Sequence, residues 1–263
     1  MKIILLIGRG ANQRALANRI AAKVDILHIA IVDKSGKKKQ GRIRSVAEKL
    51  CGLPLSLAWR NAMAHYENLY PDYPGDNRTE FPSIRHSSLV EFMALEQPDL
   101  VIVSGTNLLK EDLIQSILPK GRIMNLHTGL SPYIKGGPNC TNWCLATKQF
   151  HLVGNTIMWL DIGIDTGNII RAETTPLTGR ESLSELQIKV LDHAHNLYTS
   201  CVERLARGDA LPSVPQSEIG DGKTFYSREW TWRRKLAALA SFQLGFRKGV
   251  TETQLRIPAD IQK

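Results

Sequence analysis

An amide and an imidazole stand two positions apart at Asn125 and His127, where a short apolar run ends. Side chains two positions apart on a β-strand point to the same face, so both groups would face one site. A carboxylate follows at Asp165, directly before Thr-Gly in a glycine-containing segment. The three groups suit acyl transfer, which needs a donor for a developing oxyanion, a proton shuttle and a group that orients the shuttle. The alternative is structural: His127 would only end a strand, and Asp165 would only turn a loop.

The beginning of the chain predicts the fold that would hold these groups. Residues 2–8 are a short apolar run closed by glycine, which is typical of a buried strand. A helical pattern follows over 12–22, and a second buried strand is predicted over 26–32. Strand, glycine turn, helix and strand begin a βαβ unit, which predicts an α/β fold with a Rossmann-like, mostly parallel sheet.

The rest of the chain continues this alternation. Further strands are predicted over 100–103, 123–127, 156–160, 167–173 and 222–227. Helices are predicted over 45–67 (interrupted at Gly52 and Pro54), 87–95, 110–118, 138–147, 182–207 and 230–246. Ser87 or Ser88 can cap the helix over 87–95, and Ser182 with Glu185 forms a capping box. Ligands gather at the carboxyl ends of parallel strands, so the turn after 100–103 is a candidate binding wall.

The charge balance indicates an anionic partner. The chain has 34 Lys+Arg against 25 Asp+Glu, a formal charge of +9 and a pI of about 9.5. Nucleic acid, a phosphorylated small molecule and an acidic membrane surface all fit this charge. The basic segment over 34–44 is either a solvated loop or an electrostatic funnel toward a phosphorylated ligand. Gly8-Arg9-Gly10 lacks the third glycine of a dinucleotide fingerprint, which favours a tight turn, with phosphate contact as the alternative.

The cysteines and histidines outside Asn125-x-His127 are interpreted as structural. Cys51, Cys140, Cys144 and Cys201 lack the spacing of a disulfide framework, which indicates reduced thiols in the cytosol. Cys140 and Cys144 have no second ligand pair nearby, so no metal site is expected. His193 and His195 lie on different faces of one helix and are interpreted as packing or surface residues. With no signal peptide and no long apolar run, a cytoplasmic protein is expected.

Several motifs occur in a fixed order. They are Pro98-Asp99, Val103-Ser104-Gly105, Asn125-x-His127, Leu-Ser-Pro-Tyr with Gly136-Gly137, Gly154-Asn155-Thr156-Ile157 and Asp161-x-Gly163-x-Asp165-Thr166-Gly167. Their order and spacing, over roughly residues 1–205, resemble the formyltransferase family that uses N10-formyltetrahydrofolate. One departure is visible: this chain has His127-Thr128-Gly129 where relatives often carry His-Pro-Ser or His-Ala-Ser.

The resemblance implies roles for particular residues. Asn125, His127 and Asp165 would be the catalytic triad, N10-formyltetrahydrofolate the formyl donor, and no metal would be required. The implied folate-binding residues are Ser104, Gly105, Thr106, Leu108, Leu109, Asp161, Ile162, Gly163 and Ile164. The residues expected to bind the acceptor are Gly8, Arg9, Gly10, Tyr133, Lys135 and Arg171.

The acceptor is the least defined part of the resemblance. The segments His-Thr-Gly-Leu-Ser-Pro-Tyr and Gly-Lys-Thr-Phe-Tyr-Ser-x-Glu-Trp are most similar to nucleotide-sugar N-formyltransferases, among them the GDP-perosamine type. This implies formyl transfer to a nucleotide-linked amino sugar for the O-antigen of lipopolysaccharide, by a homodimer that neither binds nucleic acid nor inserts stably into membranes. The alternatives are formyl transfer to glycinamide ribonucleotide and, from another class, a non-catalytic protein that binds nucleic acid or a membrane surface.

Two domains are expected. Residues 1–207 would form the catalytic domain, and 208–263 a C-terminal extension with a short strand and a basic amphipathic helix. We expect this helix to pack on the body of the protein or on a second subunit, with attachment to a membrane surface as the alternative.

Overall fold

A computed structural model describes residues 1–33, 46–137, 139–160, 167–250 and 256–258. Within these ranges the main sheet consists of β1 (Ile3–Gly8), β2 (His28–Val32), β3 (Arg78–Phe81), β4 (Leu100–Ser104), β5 (Arg122–His127), β7 (Gly154–Trp159), β8 (Ile169–Thr174) and β10 (Arg256–Pro258). A smaller sheet pairs β6 (Ile134–Gly136) with β9 (Lys223–Phe225). The helices are α1 (Ala11–Ala21), α2 (Val46–Leu69), α3 (Ser87–Glu96), α4 (Glu111–Ile117), α5 (Cys140–Ala146), α6 (Leu183–Ala206), α7 (Gln216–Ile219) and α8 (Trp232–Gly249).

The main sheet has a parallel part and an antiparallel part. Its strand order is β3-β2-β1-β4-β5-β7-β8-β10. The strands from β3 to β5 run parallel, and the pairs from β5 to β10 are antiparallel. The prediction of an α/β, Rossmann-like, mostly parallel sheet is therefore confirmed.

The sheet is buried on both faces, as its apolar strands require. Along β1, Ile3, Leu5 and Ile7 belong to the core against α1 and α6, whereas Ile4 and Leu6 belong to the core against α3 and α4. Helices on both sides leave no solvent-facing side for β1, which explains why its sequence is continuously apolar rather than alternating.

Two local predictions are wrong. Helix α2 continues through Pro54 instead of breaking there. Its buried residues Leu55, Ala58 and Tyr66 form one stripe against the body, and this packing outweighs the backbone hydrogen bond that proline cannot make. Helix α3 is capped by His86, whose ring Nδ1 accepts from the Ser88 amide at 3.4 Å, and not by a serine hydroxyl.

The capping box of α6 is confirmed. The Ser182 amide donates to Glu185 Oε2 at 2.8 Å, and the Glu185 amide donates to Ser182 Oγ at 3.3 Å. These reciprocal bonds satisfy two backbone donors that the first turn of a helix otherwise leaves unpaired.

The C-terminal region packs onto the rest of the chain. Strand β9 pairs in parallel with β6, and β10 extends the main sheet beside β8. Helix α8 lies against α2 and α5 and buries Ala238, Ser241 and Phe246, while Leu244 is 83% exposed. The prediction that this helix packs on the body of the protein is therefore confirmed for α8. Its aromatic and leucine side chains are, however, not all buried. None of the helices in the described ranges is both long and apolar enough to cross a membrane.

Candidate active site

A cavity of about 170 Å³ opens where β4 and β5 end. Its walls come from the end of β4 and the turn after it, the end of β5, the end of β7 with Leu160, and Gly167 before β8. The lining residues are Val103, Gly105, Thr106, Asn107, Leu108, Leu109, Asn125, Leu126, His127, Met158, Trp159, Leu160 and Gly167. The structure thus brings Asn125 and His127 together with four of the expected folate-binding residues, at the carboxyl edge of the parallel strands.

The imidazole of His127 contacts the backbone of β6 on the side away from the cavity. The side chain belongs to a residue only 8% exposed, and its Nε2 lies 3.0 Å from the carbonyl oxygen of Ile134 and 3.6 Å from Cys140 Sγ. A carbonyl oxygen can only accept, so a hydrogen bond here requires the proton on Nε2. The ring orientation is therefore fixed by the backbone of β6.

Gly129, where this chain departs from the family's usual serine, lies directly against the imidazole of His127. A Cβ at position 129 would stand 2.4 Å from His127 Nε2, 2.8 Å from the Ile134 oxygen and 2.9 Å from Cys140 Cβ. Glycine leaves the space in which the imidazole meets its carbonyl partner. The glycine at position 129 is visible in the sequence. Its physical role becomes clear only from the fold, which brings Ile134 and Cys140 next to it.

The loop between β5 and β6 is tied to the sheet and to the C-terminal region. Thr156 Oγ1 donates to the Gly129 carbonyl at 2.7 Å and accepts from the Ser131 amide at 2.8 Å. On the other side, β6 pairs with β9, where the Ile134 position aligns with Lys223. The backing of His127 therefore depends on a strand from the C-terminal region.

The opposite wall begins at Gly105. Its φ of +66° lies in the left-handed region that favours glycine, and a Cβ there would stand 2.5 Å from Gln13 Cδ. Gln13 belongs to α1 and is buried. Ser104, also expected to bind folate, is buried at the end of β4 and lies outside the cavity lining.

The residues expected to bind the acceptor are dispersed around this cavity. Gly8 ends β1, and Arg9 and Gly10 follow it at the same edge of the sheet. The exposed Arg9 guanidinium lies 2.6 Å from Glu80. Arg171 on β8 places its Nε 2.6 Å from Glu173 Oε1. None of these residues, nor Tyr133 and Lys135 on either side of Ile134, is among the residues that line the cavity.

Several expected residues lie outside the described ranges. They are Asp161, Ile162, Gly163, Ile164 and Asp165, together with the basic segment over 34–44. Leu160 and Gly167 flank the aspartate segment on either side, and both line the cavity. The catalytic role of Asp165 therefore stays a prediction. Among the described residues, there is no cluster of three or more His, Cys, Asp or Glu side chains that could hold a metal ion.

Comparison with known proteins identifies the family. Residues 1–202 match the formyl transferase family. The chain belongs to this family. A methionyl-tRNA formyltransferase from Citrifermentans bemidjiense is 26% identical over 151 residues, which are 54% of this chain and 46% of that protein. The chain thus spans less than half the length of this formyltransferase.

Three solved formyltransferase structures share the fold. A sugar N-formyltransferase from a Shewanella species superposes with a TM-score of 0.56 at 14% identity, covering 92% of this chain and 88% of that chain. An N-formyltransferase from Helicobacter canadensis, in complex with folinic acid and dTDP-3-aminofucose, gives 0.55 at 15% identity, covering 92% and 81%. Phosphoribosylglycinamide formyltransferase from Streptococcus pneumoniae gives 0.52 at 17% identity, covering 78% and 99%.

Proposed function

We propose that this protein transfers a formyl group from N10-formyltetrahydrofolate to the amine of a nucleotide-linked amino sugar. The observation that carries the proposal is the meeting of Asn125 and His127 in one cavity, at the strand edge of a formyl transferase fold. His127 is fixed by a backbone carbonyl, and Asn125 comes from the same strand two positions earlier. A histidine that merely ends a strand would need neither a fixed ring orientation nor an amide beside it in a cavity. The catalytic interpretation of this pair is therefore favoured.

We assign different roles to the two side chains: Asn125 stabilises negative charge, and His127 carries a proton. The Asn125 amide can donate to the oxygen that gains negative charge when an amine attacks a formyl carbon. The imidazole of His127 can accept a proton at one ring nitrogen while the other donates, which is the property a proton carrier at neutral pH needs. We assign to it the proton that the attacking amine loses. Asp165, if it lies beside the imidazole, would orient that ring or hold a water.

The cavity fits the reacting end of a formyl-folate. Its volume of about 170 Å³ is below the roughly 300–1,000 Å³ of a typical ligand pocket, so it can enclose only part of such a ligand. Leu108, Leu109 and Met158 supply apolar surface for a flat ring, and Gly105 and Gly167 bring backbone close to it. When bound, the cofactor supplies the formyl group. The segment over 161–164 is proposed to contact the same ligand.

The amino-sugar acceptor is supported by the share of this chain that superposes on each solved structure. The Shewanella and Helicobacter canadensis proteins each correspond to 92% of this chain, whereas the Streptococcus pneumoniae protein corresponds to 78%. A larger share of this chain therefore corresponds to these two proteins than to the Streptococcus pneumoniae enzyme. Following the resemblance in sequence, we propose GDP-perosamine as the acceptor, an O-antigen pathway and a homodimer. Gly8–Gly10, Tyr133, Lys135 and Arg171 are proposed to contact the nucleotide sugar.

A direct assay tests this proposal. The protein is incubated with N10-formyltetrahydrofolate and, separately, GDP-, dTDP- and UDP-linked amino sugars or glycinamide ribonucleotide, and formylated product is measured by mass spectrometry. We expect product with a nucleotide-linked amino sugar, and with GDP-perosamine above all. Product with glycinamide ribonucleotide alone would replace the amino-sugar proposal by purine-pathway transfer.

A protein that forms no product with any acceptor would favour the non-catalytic alternative. In that case we would expect salt-sensitive binding to RNA or to anionic vesicles, because neutralising phosphates with Lys and Arg releases counterions. The His127→Ala variant is the control, since it keeps the charge of the surface and removes the proposed proton carrier.

A further inference from the structure

A tyrosine hydroxyl lies between the two strands that form the cavity. Tyr198 of α6 is fully buried, and its hydroxyl oxygen lies 3.0 Å from the Val103 amide nitrogen and 2.5 Å from the Met124 carbonyl oxygen. The Val103 carbonyl oxygen is 3.1 Å away. Val103 belongs to β4 and Met124 to β5, so the side chain of a helix enters the backbone of the sheet.

The hydroxyl has one proton, so it can donate to only one of the two carbonyl oxygens at a time. The oxygen accepts from the Val103 N–H, and the proton is donated to one carbonyl, of which that of Met124 is the nearer. Burial raises the pKa of Tyr198 well above its ordinary value, so this proton is retained. The hydroxyl therefore links the backbones of β4 and β5 through one donated and one accepted hydrogen bond.

The position of this link along the strands connects it to the site. Val103 pairs with Asn125 at the last aligned position of β4 and β5. Beyond it, the chain after β4 becomes one wall of the cavity, at Gly105 to Leu109, and the end of β5 becomes another, at Asn125 to His127. Tyr198 thus touches the two strands where they separate around the cavity, and Met124 is the residue directly before Asn125.

We propose that Tyr198 is a positioning residue for formyl transfer: its hydroxyl ties β4 to β5 at the edge of the cavity and so holds Asn125 in place. This inference rests on the proposed function and adds a residue to it. Tyr198 is not among the residues that line the cavity, and its hydroxyl acts through Val103 and Met124.

Removal of the hydroxyl leaves the ladder pairing of Val103 with Asn125 as the direct link between the two strands at this point. The Val103 N–H and the Met124 carbonyl each lose a buried hydrogen-bond partner, which is costly. The two strand ends are then held less firmly where they separate around the cavity, and the surroundings of Asn125 change.

The test compares Tyr198→Phe with Tyr66→Phe. Tyr66 is also fully buried and also contacts α6, where its hydroxyl bonds the Ile188 carbonyl at 3.1 Å and Asp192 Oδ1 at 3.0 Å. Both variants lose one buried hydroxyl, but only Tyr198 joins the strands of the cavity. Folinic acid binding by calorimetry, kcat and KM, and the urea midpoint are measured for both.

We expect Tyr198→Phe to weaken folinic acid binding and to lower kcat, each by about tenfold. Tyr66→Phe should stay within about twofold of the natural protein in both, although it also loses a buried hydrogen bond. Equal binding and turnover in the two variants, with similar losses in the urea midpoint, would overturn the proposal and leave Tyr198 a packing residue.

A second measurement separates this inference from the proposed function. The NMR signals of the Val103 backbone amide and the Asn125 side-chain amide are compared in the natural protein and both variants, without ligand. We expect both signals to shift in Tyr198→Phe and to stay in place in Tyr66→Phe. If the natural protein bound no folinic acid but these shifts appeared, formyl transfer would be wrong while the role of Tyr198 in linking the two strands held. Unchanged signals would reject that role in either case.

Discussion

Two almost fully buried histidines occupy different regions of the molecule. His127 ends β5 at the cavity, where its Nε2 meets the Ile134 carbonyl oxygen. His195 lies on α6 with no exposed surface, and its ring centroid is 5.8 Å from that of Tyr66. In the described ranges, neither ring nitrogen of His195 has a hydrogen-bond partner.

The difference lies in what each environment allows the ring to do. Burial, followed by the charge of Arg19, lowers the pKa of His195 to about 3. A ring that stays neutral and has no access to ligand contributes packing alone. His127 combines a fixed orientation with a position on a cavity wall, which a proton carrier needs. Burial alone therefore does not mark a functional histidine; a directing partner and access to ligand do.

The largest effect that tests this contrast is on turnover. We expect His127→Ala and Asn125→Ala each to lower kcat by about 10²–10³-fold, since each removes a group that acts on the reacting atoms. His195→Phe, by contrast, should retain turnover. Steady-state kinetics on folded variants, checked by circular dichroism, decide the matter. A fully active His127→Ala would end the assignment of the catalytic pair.

The next effect comes from the space behind His127. Gly129→Ala places a methyl group 2.4 Å from Nε2, so the ring must move away from the Ile134 carbonyl. Because a misplacement of about 1 Å can cost 10²-fold, we expect kcat to fall by roughly 10–100-fold. Gly137→Ala is the matched control, because a Cβ there meets no atom within 4 Å. Similar kinetics for the two variants would contradict the role given to Gly129.

His195 should appear in stability rather than in catalysis. Its pKa is about 3 in the folded protein against an ordinary 6.5, so between these values the unfolded chain binds a proton that the folded chain does not. Stability is therefore retained above pH 6.5 and lost as the pH falls toward 3, with a slope of at most about 1.4 kcal/mol per pH unit. Urea unfolding between pH 7 and 4.5 should show a shallower decline in His195→Phe. Parallel pH curves for the two proteins would refute the prediction.

The smallest effect concerns the helix that carries His195 and Tyr198. Ser182→Ala removes the hydroxyl of the α6 capping box and should lower the free energy of unfolding by about 1 kcal/mol. The cap is a local contact at the start of the helix, so kcat should not change. Ser56→Ala is a suitable control, since its hydroxyl contacts only the Leu53 carbonyl on the surface of α2. A loss of turnover in Ser182→Ala would show that the start of α6 also influences the site.

Much of the fold and two of the three residues of the candidate triad followed from local sequence patterns. Short apolar runs located β1, β2 and β4, the first of them closed by glycine, and the two-residue spacing placed Asn125 and His127 on one strand face. The partners of His127 did not follow, because Ile134 and Cys140 reach it through a loop and through pairing with β9, which are contacts distant in sequence. In the sequence, Tyr198 looks like any buried residue of a helix. Its contacts with β4 and β5 appear only in the folded structure.

Local rules failed where tertiary packing outweighed them. Pro54 should interrupt α2, but the stripe of side chains buried after it, from Leu55 to Tyr66, holds the helix against the body. The α3 cap was expected from serine, and the neighbouring His86 ring fills that place. Both misses concern single backbone groups, whose cost of about 1–3 kcal/mol is within reach of a few buried side chains.

The pairing of β6 with β9 has a consequence for synthesis of the chain. His127 is backed by β6, but β6 gains its partner only when Lys223–Phe225 has left the ribosome, some ninety residues later. The parallel strands from β1 to β5 can assemble earlier from residues already made. A nascent chain would thus possess the parallel part of its sheet before its histidine is fully supported, so translation of β9 also completes the site.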